Sequence, residues 1–249
     1  MRICVINFSG NVGKTMVAAQ LLQPRLQAPL ISIESINADA TADGVDVEQL
    51  RAREFAALQD RVLVHPDLIV DVGASNVEDF LHRVGMSDGS QHDFDLWVVP
   101  VTRGRKQQID TVNTLRALGE LGVPANKIRV VFNCLEFDET VDEAFGAICA
   151  LDGECFELRS KAVLYFNEVF DRIKGKSESL ADVMADTTDY KAAIAQTDDP
   201  DEKLRLARRL ASRRLASSAT KNLNAAFEAL VANVPATTGA RAPVAVNAS

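Results

Sequence analysis

The stretch Ile3-Cys-Val-Ile-Asn-Phe-Ser-Gly-Asn-Val-Gly-Lys-Thr-Met16 decides how the rest of the chain is read. Its first residues form an apolar, β-branched run of the kind that makes a buried parallel strand, and Gly-Lys-Thr then opens a helix-forming segment. A phosphate cradle needs converging backbone N–H groups, a helix N-terminus behind them and a cation in front. Ser9, Gly10, Asn11, Val12, Gly13, Lys14, Thr15 and Met16 offer all three. Gly10 and Gly13 permit unusual backbone angles, Lys14 can reach the β- and γ-phosphates of a nucleotide, and Thr15 stands where a hydroxyl ligates Mg2+. The same residues also fit an ordinary strand-to-helix turn. Phe8 occupies the place where the general phosphate-loop pattern has its first glycine.

Outward from this loop, strand-like runs recur at Arg2–Asn7, Pro29–Glu34, Asp67–Asp71, Leu96–Val101 and Ile128–Asn133. Helix-length segments lie between them, at Lys14–Gln27, Asp46–Gln59, Asn76–Val84 and Lys106–Leu121. Strand and helix in alternation imply right-handed crossovers onto one sheet. The fold class is therefore α/β, a P-loop NTPase-like parallel sheet flanked by helices, with a helical C-terminal extension. Cys155–Leu158 reads as a sixth strand and Lys161–Asp171 as a loop entering a helix. From Ser177 to Val231 the pattern is helical with a break at Asp198–Asp201. The expected units are a nucleotide-binding domain over 1–176, the helical extension over 177–233 and a disordered tail over 234–249.

Ligands of open α/β sheets bind at the carboxyl ends of the strands, which here carry Asn7, Glu34, Asp71 and Asn133. Asp71, followed by Val72 and Gly73, has the setting of a magnesium-associated carboxylate before a loop that senses the γ-phosphate; a strand-ending cap is the alternative. Glu34 fits the orientation of an attacking water or, equally, a surface turn. Asn133 carries both a donor and an acceptor, suited to a base edge or to stabilising a buried turn. The expected catalytic set is Lys14, Glu34 and Asp71, with Thr15 and Asp71 on the metal. His65, His82 and His92 have no ligand spacing.

The 249 residues are 47% apolar and 6% aromatic, enough for an aliphatic core. A net charge of -8 argues against a surface that is basic throughout. The four cysteines have neither metal-site spacing nor disulfide density. No apolar run approaches the roughly 20 residues that cross a bilayer, and no signal-peptide core opens the chain. A cytoplasmic location follows as the expectation.

One local basic stretch stands out at 203–215, where Arg205, Arg208, Arg209 and Arg213 share a helix face and Leu204, Ala207, Ala211 and Leu215 form a different stripe. That face fits contact with DNA phosphates better than with a membrane, because the stretch has no Trp or Phe to enter lipid. It also fits a solvated face balanced by Asp198, Asp199, Asp201 and Glu202.

Taken together, Asn7, Gly10, Val12, Gly13, Lys14 and Thr15, with Glu34, Asp71, Val99–Val101 and Val130–Asn133, resemble the ParA/MinD group of deviant Walker A ATPases over roughly the first two-thirds of the chain. That family tolerates a non-glycine residue at Phe8. Its characteristic lysine aligns with Ser9, its second glycine with Asn11 and its usual Asp with Glu34. The loop Asn7–Thr15 and the Ala/Arg-rich helical C-terminus look most similar to the StbB plasmid-stability proteins. The resemblance implies ATP and Mg2+ as cofactors, a plasmid-encoded DNA-binding partner, a possible homodimer, and a role in plasmid stability, partition or conjugation. The absent lysine implies slow hydrolysis or a hydrolysis-deficient adaptor that recruits DNA or a partner through its C-terminal helices. A small-molecule ligase or kinase on the same fold is the third reading.

Overall fold

A computed structural model describes residues 1–34, 47–50, 54–173 and 179–234. The β-branched runs become strands β1 (Arg2–Val5), β2 (Leu30–Ile33), β4 (Leu68–Val72), β5 (Leu96–Val101) and β6 (Ile128–Leu135), joined by β3 (Val47–Leu50) and β7 (Val163–Tyr165). Among the described residues they form one seven-stranded sheet in the order β3-β2-β4-β1-β5-β6-β7. Every pairing is parallel, with Ile3 opposite Ile69 of β4 on one side and Leu96 of β5 on the other.

Alternation along the strands divides the core into two layers. Cys4 and Ile6 face one layer with Trp97, Phe80 and Leu115, while Ile3 and Val5 face the other with Val17, Leu22 and Leu223. Helices α3 (Phe55–Val64), α4 (Val77–Met86), α5 (Arg105–Glu120) and α6 (Val141–Cys149) cover the first layer. The second is covered by the helical run after the loop and by the C-terminal helices. That run consists of α1 (Lys14–Met16), a π-helical turn (Val17–Leu22) and α2 (Gln23–Leu26). Both faces of the sheet are thus buried, which is why its strands read as continuous apolar runs.

Three sequence expectations are corrected. The helix expected over Asp46–Gln59 contains β3, which pairs with β2, before α3 begins at Phe55. Val47-Glu-Gln-Leu50 has helix-compatible composition, and the hydrogen bonds offered by the neighbouring strand override it. Cys155–Leu158 is not a strand. Phe156 makes an isolated bridge to Asp152, and the edge strand is Val163–Tyr165, inside the segment expected to be a loop. Finally, of the stripe Leu204, Ala207, Ala211 and Leu215 only Leu215 packs against the core cluster; Leu204 and Ala207 are exposed.

The C-terminal region contains α7 (Val169–Ile173), α8 (Leu180–Ala185), α9 (Tyr190–Gln196) and α10 (Pro200–Val231). The break expected at 198–201 is present: the Asp199 side chain caps α10 at the Asp201 N–H, and Pro200 takes the first helical turn. Along α10 the buried residues are Leu206, Ala216, Ala219, Leu223, Ala226 and Leu230. The last five belong to the same apolar cluster as Ile3, Val5 and the π-helical turn, so the second half of α10 is a layer of the sheet domain. Asn222 secures it, donating to the Val163 carbonyl and accepting from the Tyr165 N–H on the edge strand. The expected boundary at 176/177 and the tail from 235 onward fall outside the described residues. No helix among the described residues is long and apolar enough to cross a membrane.

Candidate functional site

The loop after β1 is shaped by two residues in the left-handed region. Gly13 has φ 86°, and Asn11 has φ 57°. Asn tolerates that conformation better than other residues with a Cβ, so an asparagine can stand where the resembling family has glycine. Gly10 needs no such freedom: it is exposed and an added Cβ there meets open space. At Gly13 an added Cβ would lie 2.2 Å from Asn133 Nδ2.

Asn133 explains that tightness. Its amide donates to the Val12 carbonyl at 2.9 Å and its oxygen accepts from the Cys134 N–H, so a side chain 3% exposed ties β6 to the loop. Of the two roles open to Asn133, support of the turn is the one these hydrogen bonds perform.

The root of the loop is anchored by Asn7 together with two threonines the sequence did not flag. Asn7 Nδ2 donates to the Pro100 carbonyl and to Thr111 Oγ1, each at 2.8 Å, while Asn7 Oδ1 accepts from the Ser9 N–H. Thr114 Oγ1 accepts from the Phe8 N–H. Thr111 and Thr114 are fully buried on α5, three residues apart and therefore on one helix face. Two threonines at that spacing in an otherwise amphipathic helix are the only sequence signal that could have revealed them.

Lys14 is 8% exposed, and its ammonium donates to the carbonyls of Ser9 at 2.7 Å and Asn7 at 3.2 Å. Burial lowers its pKa, while Asp71 and Glu34 pull it back up. Ser9 itself is 3% exposed, so its side chain presents neither to solvent nor outward from the loop. Val12 is likewise buried and contributes through its carbonyl.

Thr15 Oγ1 donates to Asp71 Oδ2 at 2.7 Å. The other carboxylate oxygen, Oδ1, is buried without a hydrogen-bond partner among the described residues. Burial lifts the Asp71 carboxyl to about 6 against the pull of the Thr15 hydroxyl and the Lys14 ammonium. A buried carboxylate oxygen left open beside a threonine hydroxyl at a phosphate-type loop fits a hard divalent cation, which takes oxygen ligands. Glu34 lies over Gly73, where an added Cβ would meet Glu34 Oε2 at 2.6 Å. Burial raises the Glu34 carboxyl as well, with Lys14 opposing.

These elements border a cleft of about 540 Å³, within the range of small-molecule sites. Gly10, Asn11, Gly13, Lys14, Thr15 and Met16 line its base, and Glu34, Gly73 and Ala74 close one side. Phe170, Asp171 and Ile173 of α7 line it too, three residues that sequence reasoning passed over. Strands β2 and β4 lie on one side of β1 and β7 on the other, so the cleft spans the carboxyl end of the sheet about the loop strand.

Three arginines of the basic helix have acid, carbonyl or aromatic partners among the described residues. Arg205 pairs with Glu202 and Arg209 with Asp186, while Arg213 donates to the carbonyls of Asp186 and Thr188 and packs over the Tyr190 ring. Arg209 and Arg213 thus meet the same Asp186–Tyr190 segment, and the Arg205–Glu202 pair is the acid balance that one of the two sequence readings expected.

No family model matches the sequence, and no curated protein sequence matches it. Solved structures do resemble the fold. Apo McdA from Cyanothece gives a TM-score of 0.48 at 15% identity, covering 87% of this chain and 98% of that one. MinD of Aquifex aeolicus gives 0.45 at 13%, covering 87% and 97%. MinD of Pyrococcus horikoshii complexed with Mg-ADP gives 0.42 at 10%, covering 87% and 94%. Similarity at that level leaves the chemistry to be read from this chain's own residues.

Proposed function

We propose that this protein is an ATP-binding, Mg2+-dependent switch of the ParA/MinD type with slow hydrolysis, serving plasmid stability, partition or conjugation beside a DNA-binding partner. The observation that carries the nucleotide reading is the buried, unpartnered Oδ1 of Asp71 next to the Thr15 hydroxyl at the foot of the cleft. Thr15 and Asp71 would hold Mg2+, which when bound supplies charge neutralisation at the phosphates. Lys14 exchanges the Ser9 and Asn7 carbonyls for phosphate oxygens, a swap of neutral acceptors for charged ones. Gly13 lets the backbone approach, and Gly10, Asn11, Gly13 and Met16 line the phosphate end. Glu34 orients the attacking water, and Gly73 gives the loop after β4 the freedom to respond to the γ-phosphate.

Slow turnover follows from Ser9. It stands in place of the family lysine and cannot supply a cation to a developing phosphoryl transition state across a dimer. A second reading, a hydrolysis-deficient adaptor that keeps nucleotide as a structural ligand, is favoured by the same residue. The plasmid role rests on the resemblance of the Asn7–Thr15 loop and the Ala/Arg-rich C-terminal helices to StbB proteins.

Equilibrium dialysis tests the core of the proposal: ATP binds with Mg2+ present, and Lys14→Ala abolishes it. Binding that survives this substitution refutes the site. Phosphate release with partner and DNA present separates switch from adaptor, and plasmid retention in cells carrying Lys14→Ala tests the cellular role.

A further inference from the structure

A second cleft, of about 380 Å³, lies where α7, α8 and the N-terminal half of α10 meet. Ile173, Val183 and Leu204 give it an apolar floor, and Arg172, Arg205, Arg208 and Arg209 surround that floor against a single acidic lining residue, Asp201. Leu204 is 50% exposed, and Met184 beside Val183 is 38% exposed.

Three of the arginines are already paired at the surface: Arg172 with Glu168, Arg205 with Glu202 and Arg209 with Asp186. The Arg172–Glu168 and Arg205–Glu202 pairs are exposed and contribute roughly 0 to 1 kcal/mol each, so an incoming carboxylate can replace either acid at little cost. Arg208 has no carboxylate partner among the described residues. The cleft therefore presents, among the described residues, one unpaired guanidinium and two exchangeable ones around uncovered aliphatic surface.

We infer that this cleft docks an acidic peptide segment of a partner protein, with an apolar side chain seated on Leu204, Val183 and Ile173 and carboxylates on the arginines. A nucleic-acid backbone would satisfy the arginines and leave the aliphatic floor uncovered, because it offers no apolar anchor. Bidentate guanidinium–carboxylate pairs around an aliphatic anchor use both halves of the cleft. Ile173 also lines the nucleotide cleft, so both occupants would touch the same short helix.

The probe is a fluorescein-labelled helical peptide with leucines at i, i+4 spacing flanked by glutamates, titrated by fluorescence anisotropy against the full chain without nucleotide. Omitting nucleotide keeps the result separate from the ATP reading. The peptide is expected to bind, and its Glu→Gln version to lose binding. Arg208→Glu weakens it roughly fivefold or more, the range expected from losing and reversing one exposed charge pair. Leu204→Gln weakens it by a comparable factor through lost apolar burial. Both side chains are exposed, and circular dichroism checks that each variant stays folded. Three results overturn the inference: no binding by the wild-type chain, binding indifferent to either substitution, and displacement of the peptide by duplex DNA.

Discussion

Asp71→Asn offers the sharpest test of the site, because the carboxylate is held at a cost that the folded chain alone does not recover. Raising the Asp71 carboxyl from 3.8 to about 6 makes its ionised form about 3 kcal/mol harder to hold in the native state than in the unfolded chain at pH 7.5. The sign follows from proton counts. Between the two pKa values the native state binds more protons than the unfolded state, so this group's contribution to stability falls as pH rises. By pH 4 the cost is only about half a kcal/mol. Asn keeps an acceptor for the Thr15 hydroxyl and removes the charge, but it leaves an amide where the unpartnered oxygen was. The net gain at pH 7.5 is therefore expected to be about 2 kcal/mol, discounted for that amide. In a chain of this size such a gain raises Tm by roughly 4 to 8 °C.

Urea denaturation of the nucleotide-free protein at pH 7.5 and pH 4 measures the difference directly. Asp71→Asn is expected to be the more stable chain at the higher pH and nearly equal to wild type at the lower. Adding ATP and Mg2+ should then stabilise the wild type and not the variant, by the linkage of ligand binding to folding. An equal gain at both pH values, or a less stable variant at pH 7.5, refutes the burial argument. Stabilisation of both chains by ATP and Mg2+ refutes the metal role.

Two further outcomes follow from the loop. Gly13→Ala puts a methyl 2.2 Å from Asn133 Nδ2 at φ 86°, so it should cost about 1 to 3 kcal/mol of stability and eliminate ATP binding in calorimetric titration. Asn133→Ala frees the Val12 carbonyl and is expected to cost about 1 to 3 kcal/mol in urea denaturation even without nucleotide. A residue acting only as a base reader would leave the nucleotide-free chain unchanged.

Much of the fold was legible because a sheet buried on both faces writes its strands as continuous aliphatic runs. Residues 2–5, 30–33, 68–72, 96–101 and 128–135 all lie within or across the runs read from sequence. β3 and β7 escaped because they are edge strands with weak signatures, four and three residues long. Their conformation is set by the neighbour that pairs with them. The stripe of α10 was misread for a related reason. A helix rich in Ala, Leu and Arg offers several faces of similar polarity, and only the position of the sheet selects Ala216, Ala219, Leu223 and Ala226.

The candidate site divides along the same line. By itself the sequence determined that Lys14 and Thr15 follow a strand and open a helix, and that Glu34, Asp71 and Asn133 stand at strand ends on one rim of the sheet. Those are consequences of order along the chain and of the right-handed crossover. What each group does there depended on distances between residues far apart in sequence. Tertiary structure alone put Asn133 on Val12, Thr111 against Asn7 and Phe170 in the cleft wall. It also left Asp71 Oδ1 without a partner and buried Ser9, because hydrogen-bond satisfaction and burial belong to the packed chain and have no counterpart in residue order.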